Sequence, residues 1–210
     1  MLRNARKEDA AGVLPLMMDA IGDISYSLTG EESPEEAMAV LEEFYCREGD
    51  RLSYENVTVL EKEGRVAAFM LAYHGSRAEV LDRPLKARLE ASGKSAAAIV
   101  CEAGPDEYYL DSLAVHPDFR GQGLGTLLLE EFGRLAAQAG WGKLSLLVEE
   151  HNGGARKLYE RLGYAPQDAL MVAGHRYDRM VKQVKQAHGG AGTLTDAGAS
   201  IPTQIRMPDF

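Results

Sequence analysis

The chain has 210 residues, 45% hydrophobic and 26% charged, and a formal net charge of −9. That length suits one domain with a core that needs no disulfide or metal staples. The acidic balance argues against nucleic acid, which is gripped by clustered Lys and Arg, and it suits cationic partners such as amines.

Leu2 to Ala5 reads as a short strand. Asp9 and Ala10 then open a helix whose apolar positions, Val13, Leu16, Met17 and Ala20, share one face, with Gly22 as its stop. Ser33, Pro34 and Glu36 combine a cap, a first-turn proline and a Glu at the third helical position, so a second helix starts there. Its buried stripe is Met38, Leu41, Phe44 and Tyr45. A hairpin follows: Val57 to Leu60, a turn at Glu63-Gly64, and Val66 to Tyr73. Residues 75–106 read as an insertion between strands, with a helix over Arg83 to Ala91 and loop beyond. Tyr108 to Val115 is a strand. Gly123 to Ala139 is a helix with Leu124, Leu128, Phe132, Leu135 and Ala139 inside. Leu144 to Val148 is an apolar strand, Asn152 to Leu162 a helix, and Arg176 to Val184 a closing strand.

One domain therefore spans residues 1–186, and a Gly- and Ala-rich tail spans 187–210, expected to be flexible by composition and to dock on its own domain or on a neighbour. Cys46 and Cys101 form no disulfide framework and read as small buried residues; no metal site is expected. The opening residues lack the apolar core of a signal peptide, and no apolar run approaches the roughly 20 residues of a membrane span. The expected compartment is the cytosol.

The segment that carries chemistry is Tyr109-Leu-Asp-Ser-Leu-Ala-Val-His-Pro-Asp-Phe-Arg-Gly-Gln-Gly-Leu-Gly125. It reads as a strand, a short loop, a glycine-dense turn and a helix. Unpaired N–H groups and the helix dipole make such a helix start a phosphate site. Gly121, Gly123 and Gly125 let the backbone approach a diphosphate, and Arg120 adds a forked cation. A nucleotide P-loop is absent, since no Lys-Ser/Thr follows at the required spacing. A dinucleotide fingerprint fits poorly: residue 126 is Thr rather than Gly, and His116 to Arg120 separate the strand from the first glycine.

The run from Leu113 to Gly125 resembles the acetyl-CoA signature R/Q-x-x-G-x-G/A of the GNAT acetyltransferase superfamily, with Arg120, Gly123 and Gly125 in its defined places. The later run Asn152-Gly-Gly-Ala-Arg-Lys-Leu-Tyr-Glu-Arg-Leu-Gly-Tyr164 resembles that superfamily's next motif. The resemblance covers roughly residues 1–182 and is specific from 108 to 165. It implies an α/β fold of the α+β type: a mixed sheet of about six or seven strands, about four helices, and parallel strands 4 and 5 that splay apart. It implies acetyl-CoA as cofactor, with the pantetheine arm near Leu113, Ala114 and Val115. The diphosphate would lie on Arg120, Gly121, Gln122, Gly123, Leu124, Gly125 and Thr126, and Asn152, Arg156 and Tyr159 would also touch the cofactor.

The reaction so implied is attack by a neutral amine on a thioester, which needs a base, an oxyanion donor and an acid. Tyr159 is the candidate acid and otherwise a core aromatic; Asn152 is at the same time a good helix cap. Asp111 is the candidate base, directly or through water, or else a carboxylate tied to an Arg. Glu149, Glu150 and His151 are alternatives. Strand parity places Tyr109, Asp111, Leu113 and Val115 on one face. The oxyanion donor is the N–H near Val115, and His116 before Pro117 is a turn residue. The insertion shapes the acceptor pocket. The acceptor is a small amine, a polyamine or a peptide amine; a protein N-terminal or lysine acetyltransferase and a non-catalytic acyl-CoA sensor stay open, as does a homodimer.

Overall fold

The computed structural model describes residues 1–184; the tail 187–210 and its expected docking lie outside the described residues. Seven strands form one sheet: β1 (Leu2–Asn4), β2 (Val57–Lys62), β3 (Arg65–His74), β4 (Tyr108–Val115), β5 (Lys143–Glu149), β6 (Ala165–Val172) and β7 (His175–Gln183). Their order is β1-β2-β3-β4-β5-β7-β6, antiparallel throughout except where β4 meets β5. Six helices pack against it rather than about four: α1 (Ala10–Ile21), α2 (Ile24–Thr29), α3 (Pro34–Tyr45), α4 (Ala78–Ala91), α5 (Leu124–Gln138) and α6 (Gly153–Arg161).

The sheet buries both faces, which gives two cores. Val13, Met17, Leu41, Phe44, Leu81 and Leu85 from α1, α3 and α4 meet Phe69, Leu71 and Tyr109 on one face. Leu124, Leu128, Phe132 and Ala136 of α5 meet Met70, Leu110 and Leu146 on the other, where α6 adds Leu158 and Tyr159. The buried stripe of α5 keeps Leu124, Leu128 and Phe132, as expected, with Leu135 half-buried, and is broader than expected. Leu129 and Ala136 are buried, while Ala139 is exposed beyond the last turn.

Helix ends obey local chemistry. Ser33 Oγ accepts the Glu36 N–H at 3.2 Å and donates to the Glu36 carboxylate at 2.8 Å, a reciprocal cap for α3. Gly22 closes α1 as expected, but α2 follows after two residues, a helix too short for its periodicity to register. The hairpin strand β6 also escapes pattern reading. It is the outer strand, mostly exposed, and it carries Pro166 and Asp168, which only an edge tolerates.

Residues 75–106 are more ordered than an insertion needs to be. The helix starts five residues earlier than Arg83, and Leu81, Asp82, Leu85 and Leu89 are buried. Cys101 is exposed, contrary to the expectation of burial, because it lies in the irregular stretch after this helix; Cys46 is only half buried. The segment is held at its neck. Gly75 donates its N–H to the Glu107 carbonyl at 2.8 Å, and a Cβ on Gly75 would stand 1.9 Å from the Gly104 carbonyl oxygen. That neighbour is backbone and cannot rotate away. Gly75→Ala is expected to cost about 1–3 kcal/mol, the usual scale of overpacking, read as a lower urea midpoint. A midpoint equal to the parent's would mean that the neck opens freely.

Candidate active site

The site begins with one extra residue. On β3 Leu71 pairs with Ser112 and Ala72 with Leu110, so Asp111 is left without an opposite number. This β-bulge breaks the strand's parity. Tyr109 faces the core of α1, α3 and α4, whereas Leu113 and Val115 pack on the other face with α5 and α6. The expectation that Tyr109, Asp111, Leu113 and Val115 point together is therefore corrected: Tyr109 and Asp111 stay together, and Leu113 and Val115 cross to the opposite side.

The bulge also marks where the sheet opens. β4 and β5 share only three rungs, Tyr108 with Leu144, Tyr109 with Ser145 and Leu110 with Leu146. Beyond them β5 continues along β7 to Glu149 opposite Tyr177, and β4 continues along β3 to Val115. A cavity of about 170 Å³ lies in the gap. Ala20, Ile21 and Ile24 bound it on one face of the sheet, and Asn152, Ala155 and Tyr159 on the other, so it runs through the sheet. Backbone groups on parted strand edges need partners, and an extended ligand with amides can supply them.

At the open end of β4, the loop 120–126 makes a second cavity, lined by Val115, Arg120, Gly121, Gly123, Leu124, Gly125 and Thr126. Gly123 caps α5 with φ +79°, and nothing lies within 4 Å of where its Cβ would project. The N–H groups of Leu124, Gly125 and Thr126 open the helix and have no intrahelical acceptor. Arg120 Nε donates to the Val115 carbonyl at 3.1 Å, which ties the loop to the strand end. The Gln122 side-chain oxygen accepts from Lys62. His116 is a turn residue, as expected: its Nδ1 accepts the Asp118 N–H at 3.2 Å.

On α6, Asn152 Oδ1 accepts the Ala155 N–H at 3.1 Å, so it is a helix cap that also lines the through-sheet cavity. Tyr159 lines that cavity from the same helix, half-buried, its ring edge-on to Tyr164 at 6.0 Å. Burial raises its phenol above the ordinary value. Arg156 is not brought to either cavity; Asp178 and Glu160 hold its guanidinium. Arg161, which the motif reading missed, lines the loop cavity instead, three residues on from Leu158 and on the same helix face. Of the alternative bases, Glu149 lines the cavity and faces His175 Nδ1 at 3.3 Å. Glu150 is paired with Arg176 at 2.7 Å, and His151 lines neither cavity.

The side chain of Asp111 is almost entirely buried, and its partner is the buried Arg51, whose Nε donates to it at 2.5 Å. The same guanidinium donates to Glu102 at 2.8 Å and faces Asp82 at 3.7 Å. Tyr109 donates its hydroxyl to Glu102 at 2.5 Å, and Tyr73 donates to Asp111 at 3.3 Å. Burial pushes the Asp111 carboxyl above the usual carboxylate range; Arg51 opposes this, and Glu102 and Asp82 add to it. Glu102, Asp111 and Tyr109 all line the cavity. Arg51 and Glu102 carry no motif, and only the fold brings residues so distant in sequence together.

A mixed sheet parted between two parallel strands, with a glycine loop at the open end, defines a fold made to hold an elongated acyl carrier. The pattern described as the Acetyltransferase (GNAT) family matches residues 18–164, well over half of the chain, and the chain belongs to that family. Its members are acyl-CoA N-acyltransferases that use acetyl-CoA as donor. A solved acetyltransferase structure is 31% identical, with a TM-score of 0.72 over 88% of this chain and 100% of that one. An acetyltransferase of Yersinia enterocolitica is 38% identical over 31% of this chain and 44% of its own length. The [ribosomal protein bS18]-alanine N-acetyltransferase of Escherichia coli is 39% identical over 40% and 56%. The chain thus spans about half the length of these two curated relatives.

The residues present fit such a carrier. The space over Gly123 and the free N–H groups of the α5 start suit a diphosphate, and the parted strands suit its amide-bearing arm. Gly123→Val should abolish acetyl-CoA binding, read by titration calorimetry, while the far-UV spectrum of the folded chain persists. Binding of parental strength would remove the loop from the carrier's site.

Proposed function

We propose that the protein moves an acetyl group from acetyl-CoA to the primary amine of a small molecule. The observation that carries this reading is the through-sheet cavity: Tyr159 stands on the face of the cofactor loop, and Asp111 and Glu102 stand on the opposite face. Donor and acceptor would enter from opposite faces and meet in the gap between β4 and β5. Direct transfer gains from such enforced proximity.

In this reading the chain holds acetyl-CoA by the backbone N–H groups from Gln122 to Thr126, with Arg120 beside them. Leu113, Ala114 and Val115 present the strand edge to the pantetheine arm. Bound acetyl-CoA supplies an activated acyl group. The N–H near Val115 is the donor placed for developing negative charge on oxygen. Asp111 takes a proton from the incoming ammonium, directly or through one water, and its upward shift by burial favours that role. Tyr159 would supply the proton that the departing sulfur needs; its raised pKa keeps it protonated across the neutral range. We place this activity in the cytosol. Among the described residues, no helix is long and apolar enough to cross a membrane.

A second reading is transfer to a peptide or protein amine, an activity that the E. coli relative's name records for that protein. The carboxylates of the inner wall favour the small cationic amine. Tyr159→Phe is expected to lower kcat on the order of 10²-fold, the lower range for loss of a general acid, with acetyl-CoA affinity unchanged. A kcat equal to the parent's at every pH would remove Tyr159 as the acid. A panel of amines and peptides scored for thiol release from acetyl-CoA separates the readings. Release with peptides alone would overturn the small-amine assignment, and a failure to release thiol with any acceptor would favour a sensor.

A further inference from the structure

Resting on that reading, we infer that Glu102 makes this site selective for amines that carry no carboxylate, so that it accepts a compact amine and rejects the corresponding amino acid. The inference comes from the charge count of the inner wall. Asp82, Glu102 and Asp111 surround the single guanidinium of Arg51, and the side chains of all four are at most 9% exposed. The tyrosine hydroxyls that join them, from Tyr73 and Tyr109, are neutral donors. Lys86 acts on Asp82, and neither lines the cavity; the two carboxylates that do, Glu102 and Asp111, share the one guanidinium of Arg51, which leaves an excess of negative charge where screening by water is weak.

Glu102 is the member that the segment 75–106 delivers to the cavity. Its Oε1 is fixed by Arg51 and its Oε2 by Tyr109, so it is oriented before any ligand arrives. The adjoining residue of the bulge supplies an independent sign of an unfilled contact. Ser112, 7% exposed, lines the same cavity, and its hydroxyl has no hydrogen-bond partner. A buried hydroxyl without a partner is costly, and an acceptor's N–H would relieve it.

An ammonium entering here meets net opposite charge, while a carboxylate beside it would lie against Glu102 and Asp111. Like charges brought together with little water repel strongly, which makes repulsion the stronger source of selectivity. The natural acceptor is then the kind of molecule that decarboxylation of an amino acid produces, and a reaction of that class would supply it.

The test compares matched pairs, cadaverine with lysine and tyramine with tyrosine, by steady-state thiol release. The wild type should prefer each amine over its amino acid on the order of 10²-fold in kcat/KM. Glu102→Gln should raise the amine KM about tenfold, the scale of a lost charge-assisted contact, leave the acetyl-CoA KM unchanged, and narrow the amine-to-amino-acid ratio; Glu102→Asp should restore part of it. A wild-type ratio near unity overturns the inference whether or not the variants fold. So does a folded Glu102→Gln with the wild-type ratio. Absence of thiol release with every amine would instead sink the proposed transferase reading, and the two failures are therefore distinguishable.

Discussion

Asp111 has no partner on β3, and much of the molecule follows from that single unpaired residue. A bulge bends its strand and tightens its twist. β4 consequently turns away from β5 immediately after Leu110, while each strand keeps its other neighbour as far as Val115 and Glu149. The same extra residue reverses parity, so that the first half of β4 sends Tyr109 and Asp111 toward α1, α3 and α4 and the second half sends Leu113 and Val115 toward α5 and α6. One inserted residue thus opens the gap and sets which side chains face each side of it.

An opened sheet has to be pinned where it stays closed. Glu107, just before β4, is wholly buried, and its carboxylate meets Lys143 at 2.9 Å and Arg179 at 2.7 Å. Those partners stand at the start of β5 and on β7. Burial alone would push this carboxyl upward, but the bond from Lys143, the Gly104 N–H at 2.9 Å and the charge of Arg179 hold it below the usual range. It therefore stays ionised, and the clamp fastens three elements at the apex of the wedge. Opening at one end is affordable because the other end cannot slip.

The face of the glycine loop was legible in the sequence, and the opposite face was not. Gly123 and Asn152 are read from local chemistry alone: a helix start over a glycine turn, and a cap with its N–H donor three residues on. Strand and helix limits there fall within a residue or two of expectation. Asp111 shows the limit of periodicity, since alternation along β4 holds only until a bulge, and nothing in Leu-Asp-Ser announces one. Arg156 shows another: it lies within the motif, at a place the pattern leaves open, and Asp178 on β7 claims its charge. Arg51, Asp82 and Glu102 were invisible because each lies in an irregular or ambiguous stretch and acquires meaning only from its neighbours in space.

That buried cluster also explains why residues 75–106 form part of the core rather than an ornament on it. Removing one partner from a buried ion network is strongly destabilising, whereas an apolar replacement of the whole is often neutral. Stability alone therefore gives no reason to bury three carboxylates around one guanidinium. The cavity does give one. Arg51 precedes β2, Asp82 lies on α4, Glu102 follows it, and Asp111 is the bulge. The ion pairs that dock α4 onto the sheet are those that give the inner wall its charge. A hydrophobic substitute could hold the helix in place, but it would leave the proposed acceptor with nothing to attract its ammonium or to receive its proton.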